Sequence, residues 1–471
     1  MCSVNGCIIF TRTRTGTELQ RIERKVRDLI IKAEDRGRDS YGILSLSSDG
    51  SVVELKAVGK PSNSLMGKAQ FISDQTTIVI NNDRAEPTTE YVRDKAQLDI
   101  QPFGTQIYVS HNGIIANDRH LEEEYQLKRS SKIDSAILPP LLEKLWDRST
   151  EGLRKILRDQ IVGSIAVAIV GKEDPSTLYL ACNYKPLFLE YDQDLDVLFF
   201  TSLESYLNQQ EKEPWESNVV RQLEPYSLLK INTTKETERL SLWRHQRERK
   251  ALVICSAGLD STAAAKMMID DGYDVTLLHF KYRHRAESRE ADCLKNIAAF
   301  LKCKYLIVDT SLFKDVIGHS RLTETSNKIV TEREGEAGAE FAHEWVPARN
   351  LIFLSIATAI AEGNGFETIV LGNNLEESGA YPDNEMIFIN KLNQVMPYAT
   401  NYQHRVQIKM PVGNLMKHEI VKLGLMNGTP FELTWSCYEG GLHHCGTCGP
   451  CYMRKKAFEI NGKKDPVTYV H

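Results

Sequence analysis

The hydrophobic pattern divides this chain into two halves. In the first, short apolar β-prone runs fall at residues 7–10, 77–80, 107–110, 165–170, 178–182 and 197–200. Turn-forming stretches separate several of them, such as Gly171 to Pro175 and Asp192 to Asp196. Helical segments are predicted at 19–33 and 135–146. Hairpin-joined strands interrupted by helices predict an α+β layered domain with antiparallel sheets. In the second half, strands and helices alternate. Strands are predicted at 251–255, 275–280, 305–308 and 368–371, and helices at 261–270, 285–301 and 350–361. Ala291, Leu294, Ala298 and Leu301 share one helical face. Such alternation predicts an α/β domain whose parallel sheet is covered by helices on both sides. Between the halves, residues 233–250 are polar and strongly charged, ending in Arg247-Glu248-Arg249-Lys250. They read as a solvated linker. The expected domains are therefore 1–232 and 251–471, joined by 233–250. No internal repeat or low-complexity segment is present.

A length of 471 residues exceeds one ordinary core. A hydrophobic content of 42% and a charged content of 26% are those of a globular protein. The net charge of −5 gives no global attraction to nucleic acid, although a local basic patch could still bind RNA. No apolar run is long enough to span a membrane, and no charged leader precedes a long apolar stretch. A cytoplasmic protein is expected. In a reducing compartment its ten cysteines point to metal binding or catalysis rather than disulfides.

Three clusters carry candidate chemistry. Cys2 follows the initiator Met directly. If Met1 is removed, the thiol and its own α-amine lie in one residue, and the amine can serve as its general base. Downstream, Ser256-Ala257-Gly258-Leu259-Asp260-Ser261 leaves an apolar strand and enters a helix. Backbone N–H groups and the helix dipole there favour an anion, and the small Ser256, Gly258 and Ser261 let phosphate approach. Asp260 does not favour phosphate by charge, which implies magnesium or a structural role. The loop lacks the Gly-Lys-Ser ending of a Walker A motif. Finally, Cys437 precedes Cys445-Gly446-Thr447-Cys448-Gly449-Pro450-Cys451. Four thiolates suit a closed, structural tetrahedral Zn2+ site, with an iron–sulfur cluster as the competing reading. His443 and His444 are spare candidates. Cys7, Cys182, Cys255, Cys293 and Cys303 read as small buried residues.

Several segments carry resemblances. Asp35-Arg36-Gly37-Arg38-Asp39-Ser40-Tyr41-Gly42, Asn82-Asp83-Arg84-Ala85-Glu86-Pro87-Thr88, His111-Asn112-Gly113 and Ile133-Asp134-Ser135 resemble, in order, segments of the class II (Ntn-hydrolase-like) glutamine amidotransferases. Residues 163–168 and 200–204 resemble later strands of that fold. The resemblance implies that Cys2 is the nucleophile and that Asn112 and Gly113 form the oxyanion hole. It also implies that Arg84 holds the glutamine carboxylate and Asp134 its α-ammonium. These residue types suit such roles: Arg84 can grip a carboxylate in two places, and amide hydrolysis needs donors aimed at the developing oxyanion.

The loop at 256–261 resembles the Ser-Gly-Gly-x-Asp-Ser loop of the PP-loop (adenine nucleotide alpha hydrolase-like) ATP pyrophosphatases. Ala257 stands where that family has Gly, a methyl that would crowd phosphate or alter the turn. Residues 251–458 resemble the 7-cyano-7-deazaguanine synthases. The carrying segments are Tyr282-Arg283-His284-Arg285-Ala286-Glu287, Val346-Pro347-Ala348-Arg349-Asn350, Ser378-Gly379-Ala380-Tyr381-Pro382-Asp383, and the cysteine knuckle with Arg454-Lys455. That resemblance implies ATP-dependent conversion of 7-carboxy-7-deazaguanine to its amide and nitrile through an acyl-adenylate. The stand-alone family takes free ammonia, and the amidotransferase resemblance of the first domain implies that ammonia here comes from glutamine.

It implies ATP at Ser256, Ala257, Gly258, Asp260 and Ser261, with Mg2+. The deazaguanine would meet Arg285, Arg349, Asn350, Tyr381, Asp383 and Lys417. Departures are Ala257, Ala348 for Gly, the inserted Ala380, and Asn384-Glu385 where a Cys-Arg pair is common. They leave the substrate open. An archaeosine-type amidotransferase acting on a nitrile in tRNA is one alternative. Conjugation of a deazaguanine to a protein amine in antiviral defence is another. Asparagine synthetase shares the domain order but lacks the knuckle. A non-enzymatic binding module is disfavoured by the intact Cys2, Arg84, Asn112, Asp260 and knuckle. The expected partners are small molecules, with tRNA or a protein as alternative acceptor, no membrane, and a homo-oligomer allowed.

Overall fold

The computed structural model describes residues 2–85, 99–207, 220–244, 249–311, 346–378, 381–400 and 405–470. The Glu86-Pro87-Thr88 end of one motif, Gly379-Ala380 of another, and His245 to Glu248 of the expected linker lie outside the described residues. The chain forms two compact units, Met1–Trp243 and Arg244–His471. Among the described residues, no helix is long and apolar enough to cross a membrane.

The first unit holds two antiparallel sheets. One has seven strands, in the order Val220–Gln222, Phe188–Asp192, Val197–Thr201, Ser3–Ile9, Thr76–Arg84, Ser40–Ser47 and Val52–Val58. The other has six, in the order Thr237–Ser241, Ser227–Asn232, Asp174–Cys182, Gly163–Gly171, Ile107–Ile115 and Phe103–Gly104. Val4, Ile8, Leu44, Ile78 and Ile80 of the first pack against Ala166, Ala168, Leu178 and Leu180 of the second. The opposite faces are also covered. Cys7, Ile9, Ile43 and Val79 meet Ile22, Val26, Leu29 and Ile30 of helix Gly16–Lys32. Ile107, Val109, Val167 and Ile169 meet Leu141 and Leu142 of helix Leu138–Leu145. Strands buried on both faces read as continuous apolar runs, which is why their periodicity is weak.

Two boundaries differ from expectation. The helix expected at 135–146 is a 3₁₀ turn, Asp134–Ile137, followed by helix Leu138–Leu145, whose first turn carries Pro139. Proline is tolerated there because its missing N–H would have no partner. Part of the expected linker is strand Thr237–Ser241, paired with Ser227–Asn232. Its side chains are mostly exposed at the sheet edge, so burial imposes no alternation on them.

The second unit is built on a five-stranded parallel sheet, ordered Lys304–Asp309, Asp274–Lys281, Lys250–Ile254, Thr368–Leu371, Gln407–Lys409. Helices Leu259–Asp270, Glu287–Leu301, Lys417–Asn427 and Gly449–Ile460 contribute to the core on one face. Arg349–Asn364 and Met386–Ala399 cover the other. The α+β and parallel α/β classes read from the sequence are thus the ones found. The chain starts at the central strand, winds outward, then crosses to the other side. The reversal falls between Lys250–Ile254 and Thr368–Leu371, where an open parallel sheet leaves a crevice at its carboxyl ends.

Candidate functional site

In the first unit, neighbouring strands bring the predicted glutamine-handling residues together. Cys2 leads directly into Ser3–Ile9, which pairs with Thr76–Arg84 at Ser3 and Asp83. Arg84, the last residue of that strand, is almost fully buried. Burial pushes the Cys2 thiol up. The Arg84 guanidinium and a hydrogen bond from the Ala85 backbone oppose the rise, and Asp134 adds to it. Asn112 and Gly113 lie near the end of Ile107–Ile115. Asn112 Nδ2 is buried and has no hydrogen-bond partner among the described residues. Such a donor costs about 1–3 kcal/mol to leave unpaired, and a developing oxyanion would satisfy it. Gly113 has φ +152°, and a Cβ there would lie 1.8 Å from the Ser164 carbonyl oxygen. Only glycine fits. Asp134 accepts from the Ile115 and Ser135 backbone N–H groups, each at 2.7 Å, which fixes its carboxylate.

In the second unit, a cavity of about 240 Å³ opens at the sheet reversal. Its lining includes Ser256, Gly258, Asp260 and Ser261 on one side and Arg349, Asn350, Tyr381 and Asp383 on another. Gly258 caps helix Leu259–Asp270, whose first N–H groups face the loop. Lys417 Nζ lies 3.4 Å from Asp260 Oδ2, both largely buried. Arg349 Nη1 reaches Tyr282 Oη at 3.4 Å. Asp383 Oδ2 accepts from Asn350 N at 3.1 Å, and the Asn350 amide donates to Asn384 Oδ1 at 2.5 Å. Burial raises the Asp383 carboxyl above its ordinary value, opposed by the Asn350 N–H and the Arg349 charge. Arg285 is not part of the cavity lining; its Nη1 pairs with Glu439 Oε1 at 3.2 Å.

Ala257 and Ala348, the two alanines at glycine positions, both adopt left-handed backbone, with φ of +61° and +52°. Ala257 is fully buried and absent from the lining, so its methyl does not occupy the space for phosphate. Its consequence is backbone strain, about 1–2 kcal/mol, against the roughly 0.5–1 kcal/mol that glycine loses in entropy. Ala257→Gly is therefore expected to raise the thermal midpoint by about 1–4 °C. A fall in calorimetry would mean that packing of the methyl outweighs the strain.

The four knuckle sulfurs lie within 4.8 Å of one another, which suits one metal ion. Cys437 Sγ accepts from Glu439 N and Cys445 N at 3.3 Å, and Cys445 Sγ from Cys448 N at 3.3 Å. N–H groups aimed at sulfur favour thiolate ligands. Hydrogen bonds from Cys448 and Cys451 drive the Cys437 thiol down, while Cys448 is pushed the other way; a dication would replace those shared protons. His444 is turned away from ligation, its Nε2 accepting from Ser436 N at 3.1 Å.

Sequence reasoning missed three features of the cavity. Gly372 follows strand Thr368–Leu371, and a Cβ there would lie 2.4 Å from Ser261 Cα. Its place after a parallel strand was a readable signal. Trp435, whose backbone N–H donates to Ala257 O at 2.9 Å, and His279 had none, because both resemble ordinary core residues in the sequence.

Comparison with known proteins agrees with this division. Residues 250–462 match the family described as "Queuosine biosynthesis protein QueC", and residues 89–209 match "Glutamine amidotransferase domain". A protein of Saccharolobus solfataricus named 7-cyano-7-deazaguanine synthase is 51% identical, covering 100% of this chain and 99% of its own. The 7-cyano-7-deazaguanine synthase 2 of Sulfurisphaera tokodaii is 50% identical over 100% of both. A Nitratiruptor protein, also named 7-cyano-7-deazaguanine synthase, is 41% identical over 47% of this chain and 98% of its own. Half the positions are thus shared from end to end with relatives that carry the same two parts, and the chain belongs to the 7-cyano-7-deazaguanine synthase family.

Proposed function

We propose that this protein converts 7-carboxy-7-deazaguanine to 7-cyano-7-deazaguanine with ATP, taking nitrogen from glutamine in its first unit. The observation that carries the first half is the buried, unpartnered Asn112 Nδ2 in the unit that also holds Cys2, Arg84 and Asp134. The Cys2 thiol gives its proton to the Cys2 α-amine, exposed once Met1 is removed, and sulfur attacks the glutamine amide carbon. Asn112 Nδ2 and the Gly113 N–H hold the resulting oxyanion, while Arg84 and Asp134 hold the amino acid head group. Collapse expels ammonia and leaves a thioester, which water cleaves to glutamate.

In the second unit the loop at Ser256 to Ser261 would bind ATP phosphates, with Asp260 contributing to Mg2+ and Lys417 balancing its charge when the ion is away. Arg349 balances phosphate or substrate carboxylate. Tyr381 stacks on the base, and Asp383 accepts from its N–H edge. The knuckle would hold structural Zn2+ through Cys437, Cys445, Cys448 and Cys451.

Mass spectrometry of one reaction tests this reading: purified protein, magnesium-ATP, glutamine and 7-carboxy-7-deazaguanine. The amide or nitrile is expected, with glutamate and AMP. Glutamate release with the acid untouched would overturn the substrate assignment and redirect the search to a nitrile in tRNA or a protein amine.

A further inference from the structure

One side chain on the wall of the second unit's cavity has no part in binding phosphate or base. His279 lies in strand Asp274–Lys281, among the buried Leu277, Leu278 and Phe280, and is itself 2% exposed. A polar ring in such a strand is costly unless its nitrogens are used. One of them is: Nδ1 lies 3.0 Å from the carbonyl oxygen of Cys255. A carbonyl only accepts, so Nδ1 carries the proton and the tautomer is set by the backbone. Nε2 is therefore left with a lone pair. It is buried and has no hydrogen-bond partner among the described residues.

A lone pair repels phosphate oxygens, so this atom is not an anion contact. It can accept a proton. Glu290, His284 and Glu287 are the charged or titratable groups nearest to it electrostatically, with Glu290 Oε2 3.1 Å from His284 Nε2. Asp260, Lys417, Tyr282 and Arg349 stand elsewhere on the same cavity wall. Burial lowers the His279 pKa, with Glu290 opposing, so the ring is the free base at neutral pH.

We propose that His279 Nε2 is the proton acceptor for the nitrogen that reacts at the adenylated carbon. The proposal rests on the acid-activating reading of the second unit. In the first step, ammonia's lone pair forms the C–N bond to the acyl-adenylate. The C–O bond to AMP breaks with its electron pair leaving on the phosphate oxygen, and the surplus nitrogen proton passes to Nε2. In the second, the amide oxygen attacks ATP and displaces pyrophosphate. The adenylated amide then sheds both N–H protons as its C–O bond to AMP breaks, leaving the nitrile. Nε2 takes these protons one at a time and returns each to water. The Glu290 carboxylate stabilises the transient imidazolium.

The test uses the full, metal-loaded chain with ammonium chloride as nitrogen source. His279→Asn keeps an N–H for the Cys255 carbonyl but carries no basic nitrogen. ATP–pyrophosphate exchange dependent on 7-carboxy-7-deazaguanine reports adenylation, and amide plus nitrile reports nitrogen transfer. Exchange is expected to stay within about twofold of the parent while transfer falls by about 10²- to 10⁴-fold. Hydroxylamine, which loses its proton more readily after attack, is expected to restore most of the lost transfer as the hydroxamate. Unchanged transfer would overturn the proposal. So would exchange and transfer falling together in both His279→Asn and His279→Thr, since that marks a packing or nucleotide-binding role. Absence of exchange in the parent chain would instead remove the acid-activating reading and the proposal with it.

Discussion

Glutamine-dependent product formation is expected to fall by at least about 10⁴-fold in a Cys2→Ala chain, while ammonia-dependent formation stays within about twofold. Alanine offers no nucleophile, and neither Arg84 nor Asn112 can substitute for a thiol. The second unit should not register the loss, because the described residues that line its cavity all fall between Ile254 and Pro450. The size of the effect follows from how the thiol is activated. Burial alone would keep it protonated, so the reaction depends on the adjacent α-amine and on the Arg84 charge that opposes the rise. Removal of Met1 should therefore be complete in active protein, visible as the missing mass. Retained glutamine turnover in Cys2→Ala would sink the assignment of the nucleophile. Loss of both activities would mean that the two units depend on each other for folding.

Breaking the knuckle should have the larger effect on stability. Structural zinc contributes about 10–16 kcal/mol in small metal-folded domains, comparable with the whole net stability of an ordinary domain. Here the knuckle leads into helix Gly449–Ile460, with Cys448 as its cap. Three residues after Cys451, the fully buried Arg454 pairs with Asp465 at 2.8 Å and donates to Thr434 Oγ1 at 2.5 Å and to the Phe431 carbonyl at 2.8 Å. Freed from its partners, that guanidinium would be a buried uncompensated charge, costing about 3–5 kcal/mol. Trp435, Ser436, Tyr438 and Pro450, which surround the knuckle cysteines in sequence, also line the cavity. Cys451→Ser is therefore expected to lower the thermal midpoint of the second unit by at least about 10 °C. It should also abolish ATP-dependent synthesis and spare glutaminase activity. Metal analysis should find about one zinc per parent chain. A metal-free protein with an unchanged midpoint would contradict the argument, and iron with sulfide would replace zinc by a cluster.

Particular elements show how much of this was legible beforehand. Strand Lys250–Ile254, the turn at Gly258 and helix Leu259–Asp270 were readable because apolar runs, small residues and the helical period are local properties. The cysteine spacing was readable for the same reason. Strand Thr237–Ser241 was not, since an exposed edge carries no burial pattern. Arg285 was grouped with the base-binding residues by its motif, yet its charge is taken by Glu439, 154 positions away. Nothing in the sequence singles out His279, because neither its bond to the Cys255 carbonyl nor the free lone pair at Nε2 has a sequence signature.

The sequence by itself determined the order of the two units, their classes, the thiol at Cys2, the phosphate-type turn and the four-cysteine set. Each follows from residue type and short-range spacing, which the chain carries wherever it folds. Only the tertiary structure decided which polar atoms stand unpaired among the described residues, the donor Asn112 Nδ2 and the acceptor His279 Nε2, and which charges are already spoken for, as at Asp260 with Lys417. It also decided that the methyl of Ala257 faces the core rather than the cavity. Burial, pairing and protonation depend on neighbours brought together across tens to hundreds of positions, and no local pattern encodes them.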